Sequence, residues 1–215
     1  MLSKRLKTIA SLVPTKDNVI DIGCDHALLD IYLTLHNENS CIAADISEKV
    51  IDNARKNIIK YNLQNKIETI VSNGTNNIQI DKKSTIVISG MGTYTILDIV
   101  SKIDKEKINK LIIQSNNNLL DLRKKINELG YEIELEQVVF DKNKYYTIIV
   151  FIKGNKLYKR KQLKYGVNYI KNDDYYKYIS YLINKNNDII LRLDNKHIFK
   201  KIKLKSENYI LKKHS

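Results

Sequence analysis

The sequence predicts an open α/β sheet of Rossmann-like type, its strands mostly parallel and its faces both covered by helices. Three observations predict it. Short β-branched runs alternate with stretches of helical periodicity from Asn18 to Leu129, the pattern that parallel strands joined by crossover helices produce. Two of these runs end in glycine-bearing turns, Ile22-Gly23 and Ser89-Gly90. The stretch closes on two long β-rich runs, Tyr131–Phe140 and Tyr145–Ile152, separated by Asp141-Lys142-Asn143-Lys144. That spacing reads as a hairpin, which adds an antiparallel strand at one side.

The elements follow in order. Leu2, Leu6, Ile9, Ala10 and Val13 share one face of a helix over residues 2–13, and Pro14, the only proline, stops it. Asn18 to Gly23 is the first strand, Ala27 to Leu35 the helix after it, and Cys41 to Asp45 the second strand. Ser47 is placed to cap the next helix, which runs to about Tyr61 with Val50, Ile51, Ala54 and Ile58 inward. Lys66 to Val71 and Thr85 to Ser89 are strands three and four. A helix near Ile96–Val100 leads to strand five at Lys110 to Gln114. The helix from Leu119 to Leu129 ends at Gly130, a C′ glycine.

Beyond Gly154 the pattern changes. Tyr175, Tyr178, Ile179, Leu182, Ile183, Ile189, Ile190 and Leu193 predict a helix over 173–193, capped by Asp173 or Asp174. Ile198, Phe199, Ile202, Leu204, Tyr209, Ile210 and Leu211 predict a second. Joined near Asp194-Asn195, the two form a helical hairpin. The expected organisation is a sheet domain over 1–153 and a coiled-coil-like helical appendage over 154–215.

Composition narrows the function. The net charge is +13 and unevenly placed: residues 154–215 hold 16 Lys and Arg against 5 Asp and Glu, and residues 1–153 hold 21 against 19. A basic segment beside a near-neutral domain points to a polyanionic partner. The wealth of Lys, Asn, Ile and Tyr also fits an AT-rich genome, which accounts for a basic average better than for its uneven placement. No apolar run reaches the ~20 residues of a membrane span, and the first residues lack a secretory apolar core, so a cytoplasmic protein is expected. Cys24 and Cys41 belong to no CxxC or Cys/His cluster and fall at opposite ends of neighbouring strands. Neither a metal site nor a disulfide is expected.

The chemistry concentrates after the strands. Asp21-Ile22-Gly23-Cys24-Asp25-His26-Ala27 is the first strand-to-helix turn, where open α/β sheets bind ligands. It has one glycine rather than the three of a dinucleotide fingerprint, and its two carboxylates repel phosphate, which weakens a dehydrogenase reading. The same turn suits a cationic ligand such as S-adenosylmethionine, with its sulfonium and ammonium, or is an ordinary capped loop. Asp45 ends strand two about 20 residues on, the distance at which a carboxylate takes ribose hydroxyls; a helix N-cap is its other reading. Asn73-Gly74 after strand three is an adenine contact or a plain turn. Gly90-Met91-Gly92 brings backbone close to a ligand, or Met91 packs into the core. Gln114-Ser115-Asn116 places amides where a base edge is read, or is a polar loop. His26 reads better as structural than as a base, and no Ser-His-Asp or Cys-His pattern supports hydrolysis.

Leu2-Ser3-Lys4-Arg5-Leu6, the Asp21–Ala27 turn, Gly90-Met91-Gly92, Gln114-Ser115-Asn116 and Gly130-Tyr131 together resemble the TrmK family, bacterial methyltransferases of N1 of adenine 22 in tRNA. The resemblance spans essentially the whole chain. It departs at Thr93, where a third glycine is expected, at Ser115, where proline is common, and at Asn73, where many methyltransferases have Asp. It implies a seven-stranded class I methyltransferase sheet, S-adenosylmethionine as cofactor, tRNA as partner and a monomer. It places the cofactor against Asp21, Gly23, Asp25, His26, Asp45, Ile46, Asn73, Gly74, Gly90 and Met91. The reacting groups would be positioned by Asp25, Met91, Gln114 and Asn116, and the RNA gripped by Arg5, Lys159, Arg160, Lys161, Lys200 and Lys201. A methyltransferase of another RNA or of a small molecule, and a non-catalytic RNA-binding protein, are the alternatives on the same fold.

Overall fold

The computed structural model describes residues 2–80 and 83–214. In chain order the elements are α1 (Lys4–Leu12), β1 (Asn18–Ile22), α2 (Leu28–Asn37), β2 (Ser40–Asp45), α3 (Glu48–Lys60), β3 (Ile67–Val71), β4 (Ser84–Met91), α4 (Thr93–Ser101), β5 (Ile108–Ser115), α5 (Leu119–Glu128), β6 (Tyr131–Asp141) and β7 (Lys144–Lys153). The C-terminal part adds α6 (Arg160–Tyr165), β8 (Tyr169–Ile170), α7 (Asp173–Arg192) and α8 (Ile198–His214).

The strands form one sheet in the order β3-β2-β1-β4-β5-β7-β6-β8. The first five are parallel. The β6–β7 hairpin inserts β7 antiparallel against β5. Seven strands follow the expected layout; the eighth, β8, pairs parallel with β6 and comes from the C-terminal segment. At two residues it is too short to show a hydrophobic period, so the sequence pattern does not reveal it.

Alternation along the strands divides the core into two layers. Val19, Ala43, Val87 and Ile112 face α1, α2 and α3, where Ile9, Leu33, Ile51 and Ile58 cover them. Ile20, Ala44, Ile86, Ile88 and Ile113 face α4 and α5, under Ile96, Val100, Leu122 and Ile126. Because both faces are buried, the strands read as continuous apolar runs. Ser3 caps α1 by accepting from the Leu6 N–H, and Gly130, at φ +89°, supplies the left-handed residue after α5. Both cysteines are buried free thiols.

The hairpin α7–α8 is present, its helices joined through a 3-10 turn at Asn195–His197. Asn208 holds them together, accepting from Asn186 Nδ2 at 2.8 Å and donating to Asn187 Oδ1 at 2.9 Å. The cap of α7 differs from expectation. Asn172 accepts from the Tyr175 N–H, and Asp173 and Asp174 occupy the first turn. There Asp174 takes a different partner: it accepts from the Phe140 N–H at 2.9 Å and pairs with Lys4 at 2.7 Å, fastening α7 to β6 and α1. Similarly, Ser47 sits at the N-cap of α3 but makes no capping bond with its side chain.

Candidate active site

The carboxyl ends of β1, β2 and β4 open into a cleft of ≈ 360 Å³ lined by Arg5, Leu6, Asp21, Gly23, Cys24, Asp25, His26, Leu28, Leu29, Asp45, Ser89, Gly90 and Met91. Seven of the ten residues expected at the cofactor are therefore together: Asp21, Gly23, Asp25, His26, Asp45, Gly90 and Met91. The other three do not line the cleft. Ile46 is 68% exposed, Asn73 is exposed, and Gly74 is buried against Ile99 of α4.

The β1–α2 turn is built from left-handed residues: Gly23 (φ +81°), Asp25 (φ +53°) and Ala27 (φ +53°). Strain of that kind persists where surrounding contacts impose it. Here the Gly23 and Cys24 N–H groups both donate to the Ala44 carbonyl, at 2.8 and 3.1 Å, which holds the turn against β2. A Cβ at position 23 would collide with the methyl of Met91, so glycine is required for space as well as conformation. Met91 lines the cleft and also packs against the α4–α5 layer. His26 is half exposed, 3.6 Å from Asp25, and its carbonyl accepts from Asn57 Nδ2 of α3.

Asp45 lines the cleft and is not the N-cap of α3, a position that Ser47 holds; one of its carboxylate oxygens accepts from the Ser47 N–H at 2.9 Å. The Asp45 carbonyl accepts from Ser72 N, tying the ends of β2 and β3.

Strands β4 and β5 run further than the sequence suggests. Met91 and Ser115 are the last paired residues, after a bulge at Gly90. Gln114 is fully buried and Asn116 sits just beyond the strand. Asn116 Nδ2 donates to the Gly90 carbonyl at 2.6 Å, Gln114 Nε2 donates to Asn116 Oδ1 at 3.2 Å, and Gln114 Oε1 accepts from the Arg5 guanidinium. Arg5 also lies over the Tyr146 ring, 5.3 Å from its centroid. Arg5 was expected among the RNA contacts; the structure builds it into the cleft wall, where an amide acceptor and an aromatic face hold it.

Two of the three departures from the family pattern, Thr93 and Ser115, prove to be partners. Their hydroxyls lie 2.8 Å apart, and Thr93 Oγ1 donates to the Asn117 carbonyl at 2.6 Å. A buried threonine at the start of α4 thus replaces backbone freedom with a tie to the β5–α5 loop.

Asp30, in the first turn of α2, is the charge that acts most strongly on Asp21. Both are buried, Asp21 at 4% and Asp30 at 0% exposure. Burial first, and then the charge of Asp30, hold the Asp21 carboxyl well above the usual range, and Arg5 opposes this. Burial pushes Asp30 up to about 7. The available signal was a charged residue inside the apolar run Leu28-Leu29-Asp30-Ile31.

The expected basic residues lie elsewhere. Lys159, Arg160 and Lys161 are exposed at the start of α6, Lys200 is exposed on α8, and Lys201 beside it is partly covered. A groove of ≈ 690 Å³ along α7 adds Lys177, Lys185 and Arg192 beside Tyr145 and Tyr181. Among the described residues no helix is long and apolar enough to cross a membrane. None of their His, Cys, Asp and Glu side chains form a group of three or more that could hold a metal ion.

Comparison with known proteins agrees with this geometry. A methyltransferase-domain family matches residues 2–149. A Mycoplasma genitalium protein described as a candidate tRNA methyltransferase, MG248, is 37% identical over 164 residues, 74% of this chain and 73% of that one. The tRNA (adenine(22)-N(1))-methyltransferase of Bacillus subtilis is 30% identical over 159 residues, 72% of this chain and 66% of its own. The structure of M. capricolum TrmK with S-adenosylhomocysteine superposes with a TM-score of 0.81 at 30% identity, covering 100% of this chain and 97% of that one.

Proposed function

The chain belongs to the TrmK family of tRNA methyltransferases, and from this we propose that it transfers a methyl group from S-adenosylmethionine to N1 of adenine 22 in tRNA. The observation that carries the reading is the cleft itself, in which Asp21, Asp25 and Asp45 converge on a space that Gly23 and Gly90 keep open. Such a set of carboxylates fits a cationic nucleoside better than a pyrophosphate.

S-adenosylmethionine supplies an electrophilic methyl on a positively charged sulfur. Asp45 offers its open carboxylate oxygen to the ribose hydroxyls. Asp21 and Asp25 supply negative charge for the ammonium. Gly90 and Met91 line the cleft where the acceptor base would meet the methyl, and Gln114 and Asn116 brace that wall from behind through Arg5 and the Gly90 carbonyl. Adenine N1 carries a free lone pair at neutral pH, so attack requires no base, and the chain contributes orientation and electrostatics. Because N1 lies on the pairing edge, the adenine must leave its stack. The α7 groove and the basic side chains of α6 and α8 support RNA backbone binding with aromatic stacking. In this reading residues 1–153 bind the cofactor and 154–215 bind tRNA, in a cytoplasmic monomer.

The test is transfer from labelled S-adenosylmethionine to unmodified tRNA, followed by nucleoside mass analysis, with Asp45→Ala in parallel. Label recovered as 1-methyladenosine, and lost in the variant, is the expected result. No label on any tRNA despite cofactor binding would overturn the substrate and turn the search to other RNAs or small acceptors.

A further inference from the structure

We propose that Asp30 is a positioning residue that acts through Asp21: the two buried carboxyls share a proton in the free chain, and cofactor binding displaces it to solvent. The inference rests on the reading of the cleft as an S-adenosylmethionine site. Asp21 lines that cleft, whereas Asp30, in the first turn of α2, lies behind it. Neither Asp30 oxygen has a hydrogen-bond partner among the described residues. The polar groups that act on it are its own backbone N–H and the Asp21 carboxyl. Two carboxylates are acceptors only, so they can hydrogen-bond to each other only when one carries a proton. Two adjacent buried negative charges are strongly disfavoured, and one proton relieves both the desolvation and the repulsion.

The surroundings leave that proton on the pair. Arg5 of α1 is the cation whose charge acts on Asp21, and Asp45 of β2 opposes it. Cys24 and Cys41 also face the pair, but burial raises their thiols, so they stay neutral. Asp25 and His26 occupy the exposed side of the same turn. A cationic ligand arriving against Asp21 favours its ionised form, so the proton leaves as the cofactor enters. By linkage, affinity then rises with pH below the titration of the pair and levels off above it.

The experiment is calorimetric titration of the full chain with S-adenosylmethionine between pH 5.5 and 8, each pH in two buffers of different ionisation enthalpy. The expected result is release of up to one proton per cofactor at the acidic end of the range, with Kd falling up to about tenfold per pH unit and flattening where the free pair has lost its proton. In Asp30→Asn the amide donates to the Asp21 carboxylate and the repulsion is gone, while burial of Asp21 remains, so release falls and the rise in affinity moves to lower pH. His26→Gln retains the wild-type slope. Binding without proton release in the wild type overturns the role of the pair and leaves the cofactor reading standing, as does a slope that follows His26 instead. Absence of binding at every pH overturns the cofactor reading and this inference with it.

Discussion

Replacing Arg123 by alanine tests how the C-terminal segment is held to the sheet. Arg123 of α5 is 1% exposed and Glu136 of β6 is fully buried. The guanidinium donates to both carboxylate oxygens, at 2.6 Å from Nη2 and 3.1 Å from Nε. Its remaining donors reach the Leu163 carbonyl at 3.0 Å and the Tyr169 hydroxyl at 3.1 Å, and Glu136 accepts from Val167 N at 2.8 Å. One ion pair therefore fastens α6, the following turn and β8 to the domain. Burial works against the arginine charge, and Glu136, with Tyr169 and Tyr178, more than offsets this. Removing Arg123 leaves a buried, uncompensated carboxylate, which costs about 3–5 kcal/mol. For a chain of this size that lowers Tm by roughly 6–20 °C. Denaturant unfolding and calorimetry read the change. Native-state proteolysis should show new cleavage within residues 154–172. The double replacement Arg123→Met with Glu136→Met removes both charges and should recover most of the loss. A cost below about 1 kcal/mol for Arg123→Ala, with no new cleavage, would refute the clamp.

Four further outcomes follow from the same geometry. Asp45→Ala should weaken S-adenosylmethionine binding about 100-fold or more, since two hydrogen bonds to a charged group are lost, with little change in Tm; a change below about threefold in a binding titration would remove Asp45 from the ribose site. Gly23→Ala should lower Tm and abolish cofactor binding together, because φ +81° and the collision with Met91 act at one position; circular dichroism melting and titration check it. Gln114→Ala, which removes the acceptor of Arg5, should reduce kcat about tenfold or more while leaving the cofactor Kd within about threefold; equal loss in both would make Gln114 a cofactor residue instead. The unliganded chain should lose stability as pH rises from about 4 to about 7. Burial raises both Asp21 and Asp30 above their unfolded values, so the native state binds more protons across that window, an effect on the order of a few kcal/mol that Asp30→Asn should reduce.

Much of the fold is legible in the sequence because both faces of the sheet are covered. Buried strands become unbroken apolar runs, and each ends at a turn whose residues serve either geometry or ligand. The Asp21–Ala27 turn is local, so its acidic character and its lone glycine can be read directly. What escapes is long-range. Arg5 and Gln114 are 109 positions apart, and only the order β1-β4-β5, with α1 packed beside it, brings them together. Thr93 and Ser115 each look like a departure from the family pattern until β4 and β5 are paired, and then each accounts for the other. Asp30 and Arg123 belong to a different class, since the sequence does mark them. Each is a charge on an apolar stripe, Asp30 between Leu29 and Ile31, and Arg123 beside Leu122 and Ile126. A full charge stays in such a place only if a partner or a proton neutralises it. The pattern therefore announces that a partner exists, and topology decides which one: a carboxyl at the cofactor cleft for Asp30, and the strand that anchors the C-terminal segment for Arg123.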